Sequence, residues 1–168
     1  MAYSEHFKLA DDYIDHVNEV VGGLSDPFLR QRYVGFVAIS AVTVYELAVK
    51  DIFIGFASQK HRAFGTMVEN LYDRLNGRVS LGDIRKLHVS YFGDKYLKRF
   101  DKKLQEAEVQ SLRERGRSIR SSYGNIITWR NVFVHQGRVP QNANYNEAVQ
   151  AYDDGKAVIH SLAEIMRR

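Results

Sequence analysis

Hydrophobic residues recur along this chain at intervals of three and four, the spacing of helices with one buried face. The first such stretch shows the spacing at Phe7, Ile14, Val17 and Val21. Ser4 is a suitable cap for this helix, and Gly22-Gly23 would end it near residue 21. No run alternates with period two for long enough to indicate a strand. The pattern therefore predicts an all-α fold, a helical bundle with additional short helices.

Capping residues, glycines and the two prolines divide the rest of the chain into further helices. The second helix is apolar on most sides, which is typical of the central helix of a bundle. Ser80 and Asp83 have the spacing of a capping box, Gly137 is a natural helix end, and Asn144 can cap the last helix. The predicted helices after the first cover approximately residues 28–58, 63–75, 80–92, 95–114, 118–135 and 144–168.

Composition fits one globular domain over residues 1–168, with 45% hydrophobic and 26% charged residues. The absence of cysteine excludes disulfides and thiolate chemistry and suits a reducing cytoplasm, where we expect the protein. The N-terminal residues show no signal-peptide pattern. Residues 34–57 are strongly apolar, but Glu46, Lys50 and Asp51 lie near their middle. Since charges at bilayer depth are costly, this stretch predicts a core helix and no membrane contact.

The net charge of +4 is concentrated in one part of the chain. Residues 95–120 hold nine basic and four acidic side chains, a net charge of +5, so the remainder carries −1. Such local basicity favours a polyanionic partner. The alternative is a solvated helix face with internal ion pairs. Candidate residues for binding an RNA backbone are Lys95, Lys98, Arg99, Lys102, Lys103, Arg113, Arg117 and Arg120.

One arginine falls on an apolar helix face. At 100° per residue, Arg130 lies among Ile119, Tyr123, Ile126, Phe133 and Val134 of the helix that ends at Gly137. A buried arginine requires a partner. His135 lies about 140° from Arg130 on an ideal helix. A site shared by these two residues would therefore require a helix that ends or distorts near His135, or a second chain.

Glu46 is a candidate partner for Arg130, because it too is a charge on an apolar helix face. Lys50, four residues further along, offers a competing local pair for Glu46. Arg130 is thus either half of a structural Glu46–Arg130 pair or a functional residue. His135 is either a cation near a helix C-terminus or a functional residue.

The segment Arg130-Asn131-x-x-x-His135 resembles the signature of the HEPN superfamily. The motif covers six residues, and the helical plan extends the resemblance over most of the chain. The resemblance implies a metal-independent endoribonuclease without cofactors, in which Arg130 and His135 are catalytic and Asn131 supports their geometry. Glu46, as the possible partner of Arg130, is a further supporting candidate. It also implies a homodimer whose two motifs face one cleft, and cleavage by a ribose 2′-hydroxyl that leaves a 2′,3′-cyclic phosphate.

The resemblance leaves the biological role open. HEPN ribonucleases serve as toxins or in antiviral defence, so an antitoxin or a defence protein is an expected partner. Some members carry a tyrosine two residues after the histidine, where this chain has Gly137, which disfavours that subtype. The alternative is a non-catalytic nucleotide- or RNA-binding or regulatory module with Glu46–Arg130 as a structural pair. No third ligand accompanies His6 and His16, so no metal site is predicted.

Overall fold

The computed structural model describes residues 2–73 and 77–167, and this part of the chain contains helices and no strand. The all-α prediction is thus confirmed. Between α5 and α6 the chain makes one π-helical turn and one 3₁₀ turn, over residues 84–92. The helices are α1 (Ala2–Gly22), α2 (Pro27–Gln31), α3 (Val34–Lys60), α4 (Arg62–Tyr72), α5 (Leu81–Asp83), α6 (Asp94–Arg115), α7 (Ile119–Gln136) and α8 (Tyr145–Met166).

Helix α3 is the centre of the bundle, as its apolar pattern predicts. It packs against α1, α4, α7 and α8, and 14 of its 27 residues are buried. The predicted start near residue 28 is wrong, because residues 27–31 form the separate helix α2, which Asp26 caps. The apolar pattern continues through this break and gives no sign of it. Among the described residues, no helix is long and apolar enough to cross a membrane.

Local capping sets most helix ends where the sequence places them. Ser80 and Asp83 form the expected capping box, and Asn144 forms a second one with Glu147 at the start of α8. Gly137 ends α7 in the left-handed conformation, with φ of 61°. Helix α1 is an exception, because it begins at Ala2 and has Ser4 inside it. Residues 74 and 75, the end of the predicted third helix, lie outside the described residues.

Helix α8 runs antiparallel to both α6 and α7. Lys103 of α6 contacts Glu164 at 2.9 Å, near the end of α8. Asp154, in the middle of α8, is fully buried and binds Arg115 at 2.8 Å and Arg117 at 2.7 Å, where the chain passes from α6 to α7. Helix α6 therefore lies along the second half of α8, and α7 lies along the first half.

His88 lies buried in the π-helical turn beside α4. Its Nε2 donates to the carbonyl of Arg78 at 2.8 Å, so Nδ1 is the atom that accepts from the Tyr72 hydroxyl at 3.1 Å. Both ring nitrogens are thus satisfied by a neutral imidazole. Burial lowers the pKa of His88 below that of a free histidine.

We predict that the free energy of unfolding decreases as the pH falls below about 6.5, the ordinary pKa of histidine. Below that pH the unfolded chain binds a proton that buried His88 does not bind, so protons favour unfolding. Urea unfolding of the wild type and His88→Gln at several pH values measures this. The variant should lose stability at pH 8 but show a weaker pH dependence. Equal slopes would contradict the assignment to His88.

Candidate functional site

In the second half of α7, the buried and the exposed side chains differ from those that the helical wheel predicts. Trp129, with 3% of its surface exposed, continues the buried row of Ile119, Tyr123 and Ile126. Arg130 is half-buried at the edge of this row, and Val134 is exposed. The expectation that Arg130 lies in the middle of the apolar face is therefore wrong. Because α7 packs against both α3 and α8, its buried face is broader than a single apolar stripe.

Arg130 joins Asn131 and His135 in one contact group. Its Nη1 donates to Oδ1 of Asn131 at 3.1 Å and to Nε2 of His135 at 3.4 Å. Helix α7 ends at Gln136, one residue after His135, so the helix does end near His135 as one of the two expected arrangements requires. The separation of about 140° on the helical wheel describes the Cβ positions of Arg130 and His135. The long arginine side chain spans the distance between these positions across the end of the helix.

These contacts determine which nitrogen atoms of Arg130 and His135 donate and which accept. A guanidinium has no acceptor, so Nε2 of His135 accepts and the proton of the neutral ring lies on Nδ1. The two N–H bonds of Nη1 are directed at Asn131 and His135. Among the described residues, no hydrogen bond uses Nε or Nη2 of Arg130. That edge of the guanidinium has the fork geometry that binds a phosphate through two hydrogen bonds.

Glu46 lies near Arg130 but does not pair with it. Its Oε1 accepts from the backbone N–H of Gly77 at 2.6 Å, and no ion pair within 4.0 Å joins it to Arg130 or to Lys50. A Cβ built on Gly77 would lie 3.6 Å from Nη1 of Arg130 and 3.9 Å from Oε1 of Glu46. The alternative of a Glu46–Arg130 pair is therefore wrong, and the backbone N–H of Gly77 satisfies the Glu46 carboxylate instead.

The chain also matches a known protein family over nearly its whole length. A model of the RiboL-PSP-HEPN family matches residues 3–168. The chain belongs to the RiboL-PSP-HEPN family. No curated protein and no solved structure is significantly similar to it. The family match covers both the helical bundle and the Arg130–His135 segment of this HEPN domain, so the resemblance is not restricted to the six-residue motif.

Apolar side chains flank the motif of this HEPN domain. The ring of Phe133 lies directly on Gly35, where a Cβ would approach within 2.2 Å of Cδ2, so only glycine allows this approach of α3 and α7. The rings of Phe133 and Phe36 are 5.8 Å apart. Phe36 and Val134 are both nearly half exposed. The accessible arginine and histidine thus lie beside an exposed apolar surface.

The structure does not bring the basic residues of α6 to the motif. Trp129, which precedes Arg130, donates to Asn142 at 3.1 Å, just before α8 begins. Lys103 contacts Glu164, about 30 Å further along α8. Because α6 is antiparallel to α8, Lys95, Lys98, Arg99 and Lys102 lie at that far end too.

The other basic candidates have partners of their own or point elsewhere. Arg117 binds the buried Asp154. Arg120 donates to Gln105 at 3.1 Å, and its buried Nε has no hydrogen-bond partner within the described part of the chain. Arg113 is exposed on α6.

Gly77 is the residue near the site that the sequence does not point to, because it is 53 positions from Arg130 and its local pattern predicts only a helix end.

We predict that Glu46→Ala destabilises the protein more than Arg130→Ala does. Loss of Glu46 leaves the Gly77 N–H unsatisfied and should cost about 1–2 kcal/mol, as for a half-buried hydrogen bond to a charged group. Arg130 lacks an ion pair, so its truncation should cost less than about 1 kcal/mol. Urea unfolding measures both variants. A loss of several kcal/mol for Arg130→Ala would instead indicate a buried structural role.

Proposed function

We propose that this chain is a metal-independent endoribonuclease of the HEPN type, with Arg130 and His135 as its catalytic residues. The observation that carries the proposal is the contact of Arg130 Nη1 with His135 Nε2 at 3.4 Å, at an exposed helix end. The pair combines a fixed positive charge with a proton-transfer group. The match to the RiboL-PSP-HEPN family supports this assignment.

The chemistry follows from the atoms that remain available. The Nε–Nη2 edge of Arg130 would hold the phosphate and offset the charge that develops during reaction. The ribose 2′-oxygen attacks the adjacent phosphorus, and the bond to the 5′-oxygen breaks. A neutral His135 can accept the proton of the 2′-hydroxyl, and a protonated copy can supply a proton to the departing 5′-oxygen. The products are a 2′,3′-cyclic phosphate and a 5′-hydroxyl end.

A homodimer would supply both proton-transfer groups. Its two copies of the motif would face one cleft, with one histidine acting as base and the other as acid. The exposed apolar side chains of Phe36 and Val134 support this arrangement, since they would be covered when two α7 helices meet. Asn131 would position Arg130 through the 3.1 Å hydrogen bond.

The remaining parts of the proposal concern partners. The exposed residues Lys95, Lys98, Arg99 and Lys102 would contact the backbone of a long RNA at a distance from the cleaved bond. A role as a toxin or antiviral defence effector, with an antitoxin or defence protein as partner, follows from the HEPN resemblance alone.

We predict that the purified protein cleaves mixed RNA in EDTA and that His135→Ala and Arg130→Ala each reduce the rate at least about 100-fold. Gel analysis measures the rate, and end-group analysis should find 2′,3′-cyclic phosphates. His16→Ala, a change of an exposed histidine on α1, is the matched control and should retain activity.

Two results would contradict the endoribonuclease proposal. One is intact RNA after incubation with a folded wild-type protein. The other is equal cleavage by the wild type and His135→Ala, which would indicate a contaminating nuclease. RNA binding without cleavage would favour the non-catalytic HEPN-type module.

We predict that Val134→Glu shifts the protein from dimer to monomer and lowers cleavage in proportion, because it places a charge in the proposed interface. Val109→Glu on α6 is the matched control, since Val109 is 53% exposed and Val134 is 48% exposed. Light scattering measures the mass of both variants. A wild-type monomer, or equal effects of the two changes, would contradict an interface at α7.

A further inference from the structure

An open cavity of about 690 Å³ lies where the end of α1, the short helix α2 and the loop before α8 meet. Its side is closed by Gln31, whose Nε2 donates to the carbonyls of Pro140 at 3.0 Å and Ala143 at 3.3 Å. Asn142, also on its lining, binds Trp129. Trp129 directly precedes Arg130, so Asn142 links the lining of the cavity to the residue before the motif.

Hydrogen bonds fix the orientation of two amide side chains in this cavity. The indole N–H of Trp129 can only donate, so Oδ1 is the atom of Asn142 that accepts it, at 3.1 Å. The backbone N–H of Glu147 likewise requires Oδ1 of Asn144, at 2.9 Å. Both acceptor atoms are therefore used within the protein. The Nδ2 groups of Asn142 and Asn144 are left as donors for a ligand.

Three further groups complete the polar lining. Arg30 uses Nε on the carbonyl of Leu24 at 2.6 Å, and among the described residues no hydrogen bond uses its two Nη groups. Glu147 accepts from the Asn144 N–H through Oε2 at 3.0 Å, which leaves Oε1 as an acceptor. The donors of Gln31 are used, so its Oε1 is a second acceptor. The cavity thus offers both donors and acceptors, among them one carboxylate.

Phe28 adds a flat apolar surface at the same place. It lines the cavity, and 79% of its surface is exposed, which is a high value for a phenylalanine. An exposed aromatic ring beside unused donors and acceptors suits a planar ring ligand with polar edges. An unpaired nucleobase has this chemistry, since it stacks on an aromatic side chain and is recognised through its edges.

We propose that this cavity binds one unpaired base of the RNA and selects guanine. Guanine carries N–H donors on one edge that suit the free Oε1 of Glu147, next to acceptors at O6 and N7 that suit the Arg30 guanidinium and the asparagine donors. Adenine lacks the ring carbonyl and places a ring nitrogen acceptor where guanine has a donor. A guanine bound here would fix the position of the RNA relative to the motif, to which Asn142 and Trp129 link the cavity. This inference rests on the proposal that the chain acts on RNA.

The test measures binding without cleavage. Short 2′-O-methyl oligouridines that carry one guanine, adenine or cytosine are titrated by fluorescence anisotropy, because the methyl group blocks the attacking oxygen. The guanine oligonucleotide should bind about tenfold more tightly than the others. Phe28→Ala should weaken its binding about tenfold, as expected for loss of one stacked base. Glu147→Gln, which preserves an acceptor for the Asn144 N–H, should abolish the preference for guanine.

The control is Tyr91→Ala, a change of an aromatic residue that is 63% exposed outside the cavity, and it should leave binding unchanged. Equal binding of the three oligonucleotides by the wild type would overturn the proposal, as would equal effects of Phe28→Ala and Tyr91→Ala. RNA cleavage without a guanine preference contradicts only this inference. A guanine preference without cleavage contradicts only the endoribonuclease.

Discussion

The position of α7, on which the candidate site depends, is set by a stack of three buried tyrosines. The ring of Tyr45 in α3 lies 4.9 Å from that of Tyr123 in α7 and 6.1 Å from that of Tyr152 in α8. The Tyr45 hydroxyl donates to the Tyr152 carbonyl at 2.7 Å. A Cβ on Gly155 would lie 2.3 Å from the hydroxyl oxygen of Tyr45. Close packing at this point joins the three helices and leaves little freedom for α7 to rotate or slide.

The same stack brings a distant segment to the motif. The hydroxyl of Tyr123 donates to the carbonyl of Val79 at 2.5 Å, which holds the chain after Gly77 against α7. The Gly77 N–H binds Glu46 of α3, so residues 77–79 bridge the two helices beside Arg130. Trp129 turns inward and Arg130 outward on this fixed helix. The exposure of Arg130 and His135 is thus a consequence of packing at Tyr123, about two turns before Arg130 and about three turns before His135.

Features that depend on a few consecutive residues could be predicted from the sequence, and features that depend on packing could not. The capping box at Ser80, the cap at Asn144 and the end of α7 at Gly137 are local, and the structure has all three. The motif is also local. The distance between Arg130 and His135 depends on a side-chain conformation that a helical wheel omits. The contact of Glu46 with Gly77 crosses 31 positions, and no periodic pattern indicates it.

The absence of the Glu46–Arg130 pair has a consequence for the chemistry. A carboxylate bound to Arg130 would cancel most of its charge and occupy the donors that a phosphate needs. The Gly77 N–H instead satisfies Glu46, while Asn131 and His135 use only one nitrogen of the guanidinium. Arg130 is therefore held by neutral groups and keeps its full charge at a half-exposed position. Such an arginine can respond to charge that develops on a bound phosphate, which a neutralised arginine in a buried pair cannot do.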